Sequence, residues 1–221
     1  MKVGTDGVLL GAWAPPGTGG ATSCRHILDV GTGTGLIALM MAQRFGQATV
    51  TGIDISQEAC GQARQNVAAS PFSQRVHIVN TALQHYDGEP RSFQAIVCNP
   101  PFFDNSLKSP DHDRALARHT DTLSCTDLFR GAHTLLADDG ALSVIIPADS
   151  LSTFTGEAAI FGFYAEKEIK IQTTPAKQPK RCLLTFVRRR PVSPVQQVVA
   201  LTDTGGNRSA WYQRLTQEFY L

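Results

Sequence analysis

The sequence predicts an α/β fold, a mostly parallel seven-stranded sheet with helices on both faces. Three observations predict it. From His26 onward, short β-branched runs alternate with longer segments whose apolar residues recur at helical spacing. Glycines cluster where the first such run meets the first helical segment, in LDVGTGTGL. A later apolar run, AIVC, stops abruptly at Asn99-Pro100-Pro101-Phe102. Strands that alternate with helices imply parallel pairing, because a crossover helix must carry the chain back to the same edge.

Taken in order, HILDVG (26–31) reads as the first strand and LIALMMAQRF (36–45) as the first helix. TVTGIDI (49–55) is the second strand. The helix that follows, SQEACGQARQNVAAS, opens on Ser56, whose hydroxyl can accept from an early helical N–H. VHIVNTA (76–82) and QAIVC (94–98) are strands three and four. LSCTDLFRGAHTLLADDG reads as a helix ended by Gly140, ahead of the strand ALSVIIP. FYAEKEIKIQT and RCLLTFVRR complete the seven strands across a polar connection at 174–180, and NRSAWYQRLTQEFYL forms a closing helix. The stretch 103–122 is polar and aperiodic, which is long for an internal loop.

The chain has 221 residues and 42% hydrophobic composition, enough to bury one full core. No apolar stretch approaches the roughly 18 residues of a membrane span. The five cysteines, Cys24, Cys60, Cys98, Cys125 and Cys182, are scattered, with no CxxC pair. They predict reduced thiols in a cytoplasmic protein and no zinc site. His77, His85, His112, His119 and His133 do not converge at ligand spacing, so no metal is expected. Net charge is only +1, but eight basic residues against Glu168 alone lie between Lys167 and Arg190. Such a run is usually a solvated face, and its meaning depends on its neighbours.

In LDVGTGTGL, Asp29 ends the first strand and Gly31, Gly33 and Gly35 open the helix. Glycines let backbone N–H groups approach a ligand closely, at the carboxyl end of a strand where open α/β sheets bind. The spacing is not the G-x-G-x-x-G of a dinucleotide site, because Leu36 stands where its third glycine would fall. Asp29 would repel a pyrophosphate and suits a cationic amino group instead. Asp54 ends the second strand, about 20 residues on, where a carboxylate can hold two ribose hydroxyls. An amino-acid head joined to a ribose is S-adenosylmethionine.

Pro100 forces Asn99 into extended backbone, and neither proline has an N–H to satisfy. The Asn99 oxygen and the adjacent carbonyls therefore become pre-set acceptors for the two N–H bonds of a planar amine, with Phe102 as a stacking face. Asn99 and Pro100, with Pro101 and Phe102, are the predicted catalytic group, and Asn99 faces the methyl donor as well.

With both motifs in hand, the chain resembles class I methyltransferases of the amino-modifying group, which carry [Asn/Asp/Ser]-Pro-Pro-[Tyr/Phe/Trp]. More narrowly, Lys2-Val3-Gly4-Thr5-Asp6-Gly7-Val8-Leu9-Leu10-Gly11-Ala12-Trp13 resembles the N-terminal signature of bacterial valine-tRNA adenine N6-methyltransferases. Arg-Cys-Leu-Leu-Thr-Phe and the closing Ala-Trp-Tyr-Gln-Arg-Leu stretch extend the resemblance over essentially the whole chain. It implies a Rossmann-like class I methyltransferase fold that modifies the adenine beside the anticodon. Thr5 and Asp6 would then lie near the donor pocket, Asp29 to Gly35 at its methionine part, Asp54 on the ribose and Asn99 to Phe102 around the adenine. Leu83 stands where relatives often place an aspartate facing the donor's adenine, and Phe102-Phe103 replaces their tyrosines. Members usually carry a further stretch ahead of KVGTDG.

These implications give one methyltransferase domain over 1–221. Residues 1–25 form a donor-pocket segment, 26–147 the S-adenosylmethionine core, and 148–221 a basic C-terminal part. With tRNA as partner, Lys108, Arg114 and Arg118 in the loop, and Lys177, Lys180 and Arg181 near the last strands, become candidate phosphate contacts. A monomer without membrane contact is expected. Glutamine N5-methyltransferases of release factors share the clamp but add a helical N-terminal domain. Guanine N2-methyltransferases of ribosomal RNA are usually larger. An idle binding module would have no use for an intact Asn-Pro-Pro-Phe.

Overall fold

The computed structural model describes residues 4–100 and 123–220. Its elements are α1 (Thr5–Trp13), β1 (His26–Val30), α2 (Leu36–Arg44), β2 (Thr49–Asp54), α3 (Gln57–Ala68), β3 (Val76–Asn80), β4 (Phe93–Cys98), α4 (Cys125–Leu135), β5 (Leu136–Pro147), α5 (Leu151–Ile160), β6 (Tyr164–Gln172), β7 (Arg181–Val187), β8 (Val195–Ala200) and α6 (Ala210–Thr216). The strands form one sheet in the order β3-β2-β1-β4-β5-β7-β6-β8. β7 runs antiparallel to both neighbours, and every other pairing is parallel.

The two-residue period of the strands sorts side chains into two cores. Ile27, Ala95, Val97, Ile145 and Leu183 meet Leu9, Leu10, Ile37 and Met41 of α1 and α2 on one face. Leu28, Ile96, Cys98, Val144, Ile146 and Leu184 meet Leu128, Phe129 and Phe154 of α4 and α5 on the other. Such continuous apolar strands are what a sheet covered on both faces requires. Ser56 caps α3 as its sequence predicts, accepting from the Ala59 N–H at 3.2 Å.

The sheet has eight strands, not seven. β8 pairs in parallel with β6 at the edge, and its first four residues are all exposed. It therefore carries no in-out alternation that a sequence could reveal. A second difference concerns Gly140, which does not end a helix: α4 stops at Leu135 and Gly140 lies within β5. Pairing with β4 shifts there from Phe93↔Leu136 to Ala95↔Ala141. A Cβ on Gly140 would stand 2.9 Å from the Phe93 carbonyl and from Leu136, so the bulge itself demands glycine.

The strand order reverses between β1 and β4, the switch point where open α/β sheets leave a crevice. α1 covers one wall of that end. Val8 and Ala12 of α1 pack with Met40 and Leu36 of α2 and with Leu215 and Phe219 near α6. Among the described residues, no helix is long and apolar enough to cross a membrane.

Candidate active site

The glycine loop leaves β1 at Val30 and enters α2 at Leu36. Gly31, Gly33 and Gly35 all take positive φ, +71°, +56° and +84°, a conformation costly for residues with a Cβ. Gly31 and Thr32 both donate their N–H to the Ile53 carbonyl at 2.9 Å, tying the loop to the end of β2.

Asp54 ends β2 and reaches the same loop. Its Oδ2 accepts from the Gly33 N–H at 2.8 Å and its Oδ1 from the Ser56 N–H at 2.9 Å. Each oxygen keeps acceptor capacity for a hydroxyl donor, and the carboxylate stays half-buried. Directly after it, Ile55 is 56% exposed at the same edge. An apolar side chain held in solvent beside a pinned carboxylate suits a flat ring, a signal the sequence reading did not use. A groove of about 460 Å³, lined by Thr34, Ser56, Gln62 and Gln65 among others, flanks the loop on its α3 side.

Asp29 is fully buried. Its Oδ2 accepts from Thr32 Oγ1 at 2.6 Å and from the Ala38 N–H at 3.0 Å, bracing the loop against α2. Its Oδ1 is a buried oxygen with no partner among the described residues. Burial pushes the carboxyl up to about 7, Thr32 and Ala38 pull it down, and Asp54 adds a smaller upward push.

Asn99 follows Cys98, which pairs with both Val30 and Val144, so it leaves the sheet beside the glycine loop. It is half-buried and Pro100 is buried. Pro101 and Phe102 lie outside the described residues, as do Lys108, Arg114 and Arg118. Leu83 is 7% exposed and faces the core, where a Cβ on Gly131 would come within 2.7 Å of it. It therefore belongs to the packing beneath α4.

Thr5 and Asp6 form the first turn of α1, whose next residue, Gly7, would place a Cβ 3.2 Å from Leu36 Cδ2. That puts the turn beside the end of the glycine loop. Asp6 Oδ2 accepts from Arg181 Nε at 2.8 Å, joining two residues that the sequence reading assigned to different ligands.

Topology divides the basic run. β7 begins where β5 ends, at Arg181 opposite Pro147, so Lys177, Lys180 and Arg181 lie at the carboxyl edge with Asn99. Lys177 and Lys180 are exposed. Arg188 to Arg190 follow the far end of β7, at the opposite edge. Arg188 is structural there: it donates to the carbonyls of Ala132, His133 and Leu136, and it stacks on Phe163 at 5.2 Å.

A methyltransferase-domain family model matches residues 27–125. Curated relatives match the entire chain. The tRNA1(Val) (adenine(37)-N6)-methyltransferase of Porphyromonas gingivalis is 44% identical over 231 residues, with 100% of this chain and 89% of the relative covered. That of Bacteroides thetaiotaomicron is 40% identical over 223 residues, covering 100% and 91%. The chain belongs to the tRNA1(Val) (adenine(37)-N6)-methyltransferase family.

Solved structures agree on the fold of this family member. A protein described as a predicted O-methyltransferase from Agrobacterium tumefaciens superposes with a TM-score of 0.72 at 20% identity, over 96% of each chain. Geranyl diphosphate C-methyltransferase from Streptomyces coelicolor, solved with S-adenosyl-L-homocysteine, gives 0.56 at 13% identity over 75% and 71%. The class I methyltransferase fold expected from the sequence is therefore present, with the one extra edge strand.

Proposed function

We infer that this chain transfers a methyl group from S-adenosylmethionine to N6 of adenine 37 in tRNA1(Val). The observation that carries the reading is full-length identity of 40 to 44% with relatives of that name, joined to an Asn-Pro that leaves the sheet beside the glycine loop. S-adenosylmethionine, when bound, supplies a methyl group already activated by its sulfonium.

The chain's own residues then have to hold and orient. The positive-φ loop from Gly31 to Gly35 and the buried Asp29 would receive the amino-acid end. Asp54, already oriented by two backbone N–H groups, would accept from the ribose hydroxyls, with Ile55 against the base. Thr5 and Asp6 would close the pocket from α1.

On the acceptor side, the N6 amine of adenine is conjugated with its ring and attacks poorly. Asn99, held extended by Pro100, would accept from one N–H and the adjacent carbonyls from the other. This favours a geometry in which the lone pair leaves the ring plane and points at the methyl group. As the N–C bond forms the donor's methyl–sulfur bond would break, the neutral thioether S-adenosylhomocysteine would leave, and the acidified amine would give its proton to water, so no strong base is needed. Phe102 would stack on the adenine, which costs less to unstack in a loop than in a duplex. Lys177 and Lys180, with Lys108, Arg114 and Arg118, would position the RNA through phosphates. This reading calls on no metal ion, takes the chain as a single-domain monomer across its three segments, and places it in the cytoplasm.

The test is a methylation assay. Labelled S-adenosylmethionine is offered with unmodified bulk tRNA and, separately, with protein extract, followed by nucleoside and amino-acid digestion. Label in N6-methyladenosine of the tRNA, lost in Asn99→Ala, is the expected result. Label in methylglutamine would overturn the substrate while keeping the site.

A further inference from the structure

Arg181 stands apart from its basic neighbours. Its Nε donates to Asp6 Oδ2 at 2.8 Å and its Nη1 to the Lys180 carbonyl at 3.1 Å. The guanidinium is thereby tied to α1, across 175 positions of sequence, whereas Lys177 and Lys180 are exposed. A carboxylate at this distance also opposes a phosphate at the same group, since it would have to be displaced or its repulsion borne.

Asp6 occupies the first turn of α1, whose N-cap, Gly4, provides no side-chain acceptor. The last turn is held independently, by Arg44 donating to the carbonyls of Gly11 and Ala14 at 2.9 and 2.8 Å. The first turn lies against Leu36 at the end of the glycine loop, and Arg181 lies two strands beyond β4. The ion pair therefore braces the carboxyl edge from the loop after β1 to the start of β7, with Asn99 between. An Arg fork fixes direction as well as distance, which a lysine would not.

We propose that Arg181 is a positioning residue for the methyl-donor pocket: through Asp6 it holds the first turn of α1 against the glycine loop, and it is not a phosphate contact. The inference rests on the reading of that loop as the donor site. The variants are Arg181→Ala, Arg181→Lys, Asp6→Asn and the exchanged pair Asp6→Arg with Arg181→Asp, all in the full chain. Donor affinity is measured by isothermal titration calorimetry with S-adenosylmethionine, and tRNA affinity by filter binding over a salt series.

Arg181→Ala and Asp6→Asn are each expected to weaken donor binding about fivefold, the size an ion pair of this exposure supports. Combined, they should be no worse than either alone, and Arg181→Lys and the exchanged pair should restore part of the loss. The salt slope of tRNA binding should not move, whereas Lys180→Ala should lower it by about one. Unchanged donor affinity in Arg181→Ala, with the salt slope reduced by about one, would establish a phosphate contact and overturn the brace. A lower melting temperature with unchanged donor affinity, or strictly additive losses, would overturn it too. A wild-type chain that takes up no donor contradicts the reading of the site itself, while normal wild-type uptake matched by Arg181→Ala contradicts the brace alone.

Discussion

The N–H of Gly33 donates to Asp54 Oδ2 at 2.8 Å, so the loop after β1 and the carboxylate after β2 form one unit. The second oxygen, held by the Ser56 N–H, extends that unit to the cap of α3. Two parallel strands and the helix that follows them thus share one pre-set polar surface at the carboxyl edge. Preorganisation of this kind spares a ligand the cost of ordering its own acceptors.

Asp54→Ala removes both acceptors. It is expected to weaken S-adenosylmethionine by about tenfold or more, because two hydroxyl bonds of roughly 1 kcal/mol each are lost with their orientation. Binding of tRNA should change little. Calorimetric titration checks the first, filter binding the second, and equal losses for both ligands would contradict the assignment.

Asn99→Ala addresses the other half of the site. Removing one preorganised acceptor should lower kcat by about a hundredfold or more. The KM for donor should stay within a few-fold, since the loop that would hold it is braced by Asp29 and Asp54 and not by Asn99. Single-turnover formation of N6-methyladenosine separates the two, and a pure KM effect would remove Asn99 from the chemistry.

The seven predicted strands and the cap at Ser56 were legible because β-branched runs and an N-cap carry local signals. α1 was not, since Val8, Leu9, Leu10 and Ala12 are all buried and leave no amphipathic period to read. β8 failed for the opposite reason, being exposed on both faces at the sheet edge. Asp54 and Asn99 could be placed from strand ends alone. The Asp6–Arg181 pair could not, because nothing in local spacing connects α1 with β7; the family resemblance assigned Asp6 to the donor, and the basic run assigned Arg181 to RNA. Asp29 shows a third limit: its charge was readable, its complete burial was not.

The basic run makes a contrast between its two edges testable. Arg188→Ala leaves the Ala132, His133 and Leu136 carbonyls short of a donor and uncovers Phe163. It should cost about 2 kcal/mol of stability with no change in tRNA affinity. Lys177→Ala with Lys180→Ala should do the reverse, changing stability by less than about 0.5 kcal/mol and lowering the salt slope of tRNA binding by about two. Denaturant melts and a salt series settle it, and a salt-slope change in Arg188→Ala would show that the far edge also meets RNA.

Asp29 gives the pH dependence. Its folded carboxyl sits near 7, well above its ordinary value, chiefly because burial disfavours the charged form. As pH rises from about 4, an unfolded chain releases this proton while the folded chain keeps it, so stability falls. Above about pH 7 both forms have released it and the loss is complete. Asp29→Asn has no proton to release, so its melting temperature should gain on the wild type from about pH 4 to 7 and then hold a constant gap. Donor affinity should show the opposite sense: in the wild type it rises as the pH passes about 7 and Asp29 gains the charge that suits a cationic amino group, and in Asp29→Asn that rise is absent. Melting curves and calorimetric titrations at matched ionic strength measure both, and a melting gap independent of pH would mean that Asp29 is already ionised in the folded chain at low pH.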